Sequence, residues 1–265
     1  MRWRIFLRHQ GIRLPYNTVL CLSWGGQFFN SVLPGSTGGD IIKLIGICSL
    51  VPERKAAAAS TVFVDRLSAL VALLVLAAGA ICIYPKPLTL LPLPKLTVSS
   101  IIFLVIGAVS VGVAVLWLLH RLTRASHFHG KIARTLAAAK SNLTLNPSVI
   151  AALFLAFFIH VLNFTIIFFF ARALAIPVNY GQVLFMMPVI LFVVMVPITI
   201  NGHGLREMLL IAYFTSMGVV IANQPAVHVR ETAVALSLVA VANDLAWAIP
   251  GGLWYLNRFR HVPRT

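Results

Sequence analysis

Three acid–base neighbours and one lone acid interrupt an otherwise apolar chain: Asp40 with Lys43, Asp65 with Arg66, Glu207 with Arg206, and Asp244. An ionised side chain at bilayer depth costs roughly 3 kcal/mol on insertion scales, so such residues face a cavity and keep partners. The chemistry these types support is anion binding. Lys43 lies one helical turn after Asp40 and can reach it if a helix starts there. Pro34, Gly35, Gly38 and Gly39 just before them leave backbone N–H groups open. A helix N-terminus with free N–H groups and a nearby base is a ready anion site. A phosphate headgroup is its natural ligand. Gly202, His203 and Gly204 with Arg206 repeat that chemistry further on, with His203 open to either a ligand role or an interhelical hydrogen-bonding role.

Asp40, Lys43, Arg206 and Glu207 sit in two similar breaks. The first runs from Asn30 through Pro34, Gly35, Gly38, Gly39 and Asp40 to Lys43, and the second from Val196 through Pro197, Asn201, Gly202 and Gly204 to Glu207. Their apolar flanks are too short for two full spans, which need about 20 residues each. Irregular backbone survives in a membrane only when buried in protein or lining a cavity. Paired interruptions in two halves of a membrane protein point to a substrate site. The pattern predicts re-entrant hairpins over 16–51 and 182–221.

Composition agrees with a membrane. Of 265 residues, 60% are hydrophobic and 10% charged, with mean hydropathy +0.94. Soluble domains carry about 25% charged residues. Long unbroken apolar runs favour helices over the weak alternation of a membrane barrel. The remaining organisation reads as a basic surface segment over 1–15, two spans over 56–119, a basic loop over 120–146, a span over 148–170 and a last span over 232–256. The expected fold is all-α: four long spans and two hairpins in an inverted-repeat arrangement.

Net charge is +15, from 21 Lys and Arg against six acids. The N-terminus, the 52–55 turn, the 120–146 loop and the tail hold 14 of those 21 bases. The positive-inside rule puts these segments, and both termini, in the cytoplasm. Membrane headgroups account for the basic charge, and no nucleic acid partner is expected. The same sidedness results if each hairpin is two full spans, so flank length is what favours re-entrance.

Structural readings stand beside the functional ones. Asp65-Arg66 is either an ion pair locking helices or part of the site, and the glycines either expose backbone or let helices pack closely. His160 and Asn163 read as interhelical hydrogen-bonding residues. Cys21, Cys48 and Cys82 read as small membrane-buried hydrophobes. The sequence has no H-E-x-x-H, C-x-x-C, G-x-S-x-G or P-loop pattern. No cofactor and no metal are expected.

The run Phe29-Asn30-Ser31-Val32-Leu33-Pro34-Gly35-Ser36-Thr37-Gly38-Gly39-Asp40, then Val64-Asp65-Arg66-Leu67, then Pro197 through Gly202-His203-Gly204-Leu205-Arg206-Glu207, resembles the lysylphosphatidylglycerol synthase transmembrane-domain family. Its members are also described as flippase-like, and some are linked to hopanoid or lipid-linked sugar pathways. The resemblance implies a bacterial inner-membrane protein that moves or binds lipids. It carries a lipid-site role onto Asn30, Pro34, Gly38, Gly39, Asp40, Asp65, Arg66, Gly202, Gly204, Arg206 and Glu207. Gly35, Lys43, Asn201, His203 and Asp244 join them on the chemistry above. Two departures bear on the expectation. The chain has no room for the soluble acyltransferase domain of two-domain members, so no enzyme activity is expected. Members also carry a membrane helix before the Arg2-Trp3-Arg4 position, which is expected to be missing here. Lipid translocation without ATP hydrolysis is the leading function. A non-transporting subunit presenting membrane lipid to a lipid-synthesis enzyme is the alternative, and a transferase with an unrecognised site the third.

Overall fold

The computed structural model describes residues 2–33, 38–83, 147–194, 202–216 and 227–259. The described residues are all-helical: eight α-helices and one short 3-10 turn, with no strand among them. They are α1 (Arg2–His9), α2 (Tyr16–Val32), α3 (Gly38–Leu50), α4 (Lys55–Ile83), α5 (Pro147–Ala173), α6 (Tyr180–Val194), α7 (Leu205–Ser216) and α8 (Val227–Phe259). The expected span over 96–119 and the 120–146 loop lie outside the described residues.

Among the described residues, three helices are long and apolar enough to cross a membrane: those within Pro52–Gly79, Pro147–Ala173 and Val229–Arg258. They coincide with three of the four expected spans. Helices α2, α3, α6 and α7 have 17, 13, 15 and 12 residues. Contacts pair Leu22 with Gly46, Gly26 with Gly39 and Leu33 with Gly38, so α2 and α3 run antiparallel. Helices α6 and α7 do the same. The Tyr213 hydroxyl donates to the Gln182 carbonyl at 3.1 Å, and Gly202 backs onto Val194 at the other end.

Local signals set the ends. Helix α1 buries Trp3, Phe6 and Leu7, an i, i+3, i+4 stripe. It closes on Gly11 at φ +70, where the Ile12 N–H returns to the Leu7 carbonyl at 2.9 Å. Helix α6 opens on a reciprocal cap: Asn179 and Gln182 exchange side chain-to-backbone bonds, both 2.8 Å.

Three apolar cores form among the described residues; the smallest holds Phe6 of α1, Val64 of α4 and Val149 and Ala152 of α5, and two are larger. One joins α1 to α3 and the start of α4 through Trp3, Leu7, Leu22, Ile47 and Val62. The other surrounds α6 and α7 through Phe164, Phe185, Met186, Phe214 and Leu236. Helices α4 and α8 touch both hairpins. Helix α4 packs on α3 and α6, and α8 packs on α2 and α7. The α2–α8 contact is close because Gly25, Gly251 and Gly252 admit Tyr255, Trp24 and Phe28 against bare backbone.

Candidate functional site

At the first break, α3 begins at Gly38 and presents Asp40 in its first turn. Helix α4 presents Asp65 and Arg66 side by side. Successive helical residues point about 100° apart, so neighbours serve different partners. Arg66 pairs with Asp40 of α3. Asp65 accepts from Arg2 Nε of α1 at 2.7 Å. The neighbour pairing read from the sequence is thus replaced by a two-sided clasp: one dipeptide ties α1 and α3 to the same span. The side chains of Arg2 and Asp65 are only 15% and 10% exposed.

Trp3 extends the clasp. Its indole N–H donates to Thr61 Oγ1 at 3.0 Å, one turn before Asp65. Lys43 places its ammonium 5.8 Å from the Trp3 ring centre. Asp65 and Asp40 both lie within electrostatic reach of Lys43. The constellation is therefore Arg2, Lys43 and Arg66 against Asp40 and Asp65. Asn30 closes it by accepting the Gly39 N–H at 2.7 Å, which engages one of the free donors of the α3 N-terminus. Gly38 and Gly39 are buried, and Gly39 lies against the Gly26 carbonyl, so both glycines serve close packing. Pro34 and Gly35 lie outside the described residues.

The second break has different supports. Gly202 and Gly204 sit at φ +77 and +82, the left-handed region that favours glycine. A side chain at Gly202 would strike Val194, whereas Gly204 faces open space. Glu207 turns back on its own helix: Oε2 accepts the Gly204 N–H at 2.6 Å, and Oε1 accepts from Ser237 of α8 at 2.6 Å. The acid next to Arg206 is thus a helix cap and an interhelical tie. Arg206 is buried, and it and His203 lie within electrostatic reach of the half-buried Asp244 on α8. Asn201 lies outside the described residues. Replacing Glu207 with Ala removes both bonds and should lower stability by about 2 kcal/mol. Glu207→Gln, which keeps a carbonyl oxygen for the Gly204 N–H, should lose less than half of that. Equilibrium unfolding in mixed micelles compares the two.

Other polar groups have structural partners. His160 Nε2 lies 3.1 Å from the Ala69 carbonyl and links α5 to α4. Asn163 bonds instead to Ile159 of its own helix at 3.0 Å. Among the described residues, no three His, Cys, Asp or Glu side chains are grouped to hold a metal. A shallow apolar groove of about 360 Å³ runs between α2 and α8, lined by Leu20, Ser23, Trp24, Gln27 and Trp247.

Arg2, Trp3, Thr61 and Ser237 were not among the sequence candidates. A tryptophan between two arginines in an amphipathic segment is the signal for the first two. Thr61 and Ser237 carry none, since small hydroxyls are common in membrane helices. The family model described as Lysylphosphatidylglycerol synthase TM region matches residues 1–249. No curated protein and no solved structure matches the chain.

Proposed function

Since the chain belongs to the lysylphosphatidylglycerol synthase TM-region family, a group of membrane proteins, we propose that it binds and translocates a phospholipid or lipid-linked headgroup without hydrolysing nucleotide. The observation that carries this reading is the convergence of Arg2, Lys43, Arg66, Asp40 and Asp65, from three helices, at the turn of a hairpin. Largely desolvated charges at membrane depth are retained for ligand pathways far more often than for stability.

In this reading the two hairpins are re-entrant. At 1.5 Å per residue, α2 and α3 reach about 26 and 20 Å and α6 and α7 about 22 and 18 Å, short of a core of about 30 Å. Inverted-repeat organisation is supported by α4 and α8, each of which braces both hairpins. The headgroup phosphate sits between the breaks, held by Lys43, Arg66 and Arg206. Asp40 orients Arg66 and Asp244 lies beside Arg206, while Asp65 and Glu207 brace the two breaks through Arg2 and Ser237. An acyl chain lies in the Trp24–Trp247 groove. The protein resides in a bacterial inner membrane with both termini cytoplasmic, in line with its basic segments.

Lipid scrambling by the purified chain in proteoliposomes tests this, with a panel of fluorescent lipids. Arg66→Ala and Arg206→Ala should each slow flux at least about tenfold, the equivalent of about 1.4 kcal/mol. Asn163→Ala, on the exposed face of α5, should leave it unchanged. Flux unaltered in both arginine variants would refute the reading. No flux for any lipid, with lipid still bound to folded protein, would favour a subunit that presents lipid to a partner enzyme.

A further inference from the structure

Three cations share two carboxylates at the first break. Arg2 holds Asp65 at 2.7 Å, and Arg66 holds Asp40. Lys43 is the third cation, and among the described residues it forms no ion pair of its own. Its ammonium instead faces the Trp3 ring at 5.8 Å. The surrounding chain makes room for it. A side chain on Gly26 would come within 3.2 Å of the Lys43 stem, so the glycine opens a niche along α2 in which the lysine lies. Trp3 is itself pinned, 3% exposed and bonded to Thr61. A surplus positive charge in a poorly hydrated cluster is unfavourable unless an anion completes it.

We infer that Lys43, seated between the Gly26 niche and the Trp3 ring, is the ligand-contacting residue of a site for one monoanionic phosphate group. Arg2 and Trp3 act as positioning residues: Arg2 pairs with Asp65, which also lies within electrostatic reach of the ammonium, and Trp3 fixes where the ammonium points. Two guanidinium–carboxylate pairs cancel, so the site accepts one net negative charge. A phosphodiester lipid without a cationic headgroup satisfies it, as does inorganic phosphate. A choline headgroup carries its own cation and fits less well. This assignment rests on the lipid-binding reading above but not on transport.

The test uses the full chain in maltoside micelles, with thermal unfolding as readout. The probes are dihexanoyl phosphatidylglycerol, dihexanoyl phosphatidylcholine and inorganic phosphate. Dihexanoyl phosphatidylglycerol should raise the midpoint of the wild-type chain, with the phosphatidylcholine at least about tenfold weaker by concentration. A rise with inorganic phosphate as well would identify the free anion as a source; a rise with the lipid alone would identify the headgroup. Lys43→Met neutralises the cluster. It should unfold at or above the wild-type midpoint without ligand, and its response to phosphatidylglycerol should be lost. That combination separates a ligand-contacting lysine from a structural one, whose loss would lower the midpoint. A response in Lys43→Met equal to wild type, or no response of the wild-type chain to any probe, would overturn the assignment. The second outcome needs no variant to fold. Lipid flux that persists in Lys43→Met would remove this site while leaving translocation standing. Binding without flux in the wild-type chain would do the reverse.

Discussion

Asp65→Asn should lower the stability of the folded chain by about 3 kcal/mol, at the low end for a broken buried ion pair. Asp65 accepts from Arg2 with both side chains mostly out of water. Removing the carboxylate charge leaves the guanidinium poorly solvated, and that residual penalty dominates the effect. Asp40→Asn should cost only about 1 kcal/mol, because the Arg66–Asp40 pair is wetter, with side chains 33% and 17% exposed. A double variant, Arg2→Met with Asp65→Leu, should recover most of the loss, since replacing both ions with apolar groups of similar size is often neutral. Equilibrium unfolding of the wild type, Arg2→Met, Asp65→Leu and the double variant closes the cycle and isolates the pair term. Amide exchange should localise the damage. Helix α1 should exchange faster in Asp65→Asn, while α6 and α7, held by a separate core, stay protected. An Asp65→Asn chain within about 0.5 kcal/mol of wild type would mean that the clasp carries no weight.

The clasp also shows what a sequence of this kind conveys. Three apolar helices of span length and the two breaks were readable because apolar length and glycine-rich polar interruptions are one-dimensional signals. So was the helix start just before Asp40, which the structure places at Gly38. The ion-pair partners were not readable. Asp65 and Arg66 are adjacent in sequence, yet a helix turns them toward different neighbours, and only tertiary packing decides which. Arg2 read as a surface cation because it precedes an amphipathic stretch. Its true environment follows from the burial of Trp3, Phe6 and Leu7 beside it. Glu207 illustrates the same limit from the other side. Its position three residues after Gly204 is a cap spacing, but a neighbouring arginine made an ion pair the more obvious reading. His160, by contrast, bridges two helices as its isolated place in an apolar span suggested.

Gly39→Ala should be more damaging than any other glycine-to-alanine change in the first hairpin. A Cβ there would overlap the Gly26 carbonyl and also meet Asn30, the acceptor of the Gly39 N–H. Backbone stands on both sides of that contact, so no rotamer change relieves it. The helices must move apart, at a cost of about 3 kcal/mol or more. Gly46→Ala is the internal control. Its Cβ would meet only Leu22, whose branched end can turn, so about 1 kcal/mol is expected. Separation of α2 from α3 would also widen the Gly26 niche and draw Asp40 away from Arg66. Gly39→Ala should therefore lose lipid flux as well as stability, while Gly46→Ala keeps most of its flux. Equal losses for the two variants would show that α2 and α3 do not meet backbone to backbone at this point. The close approach of α2 and α3 would then have to be explained by something other than glycine packing.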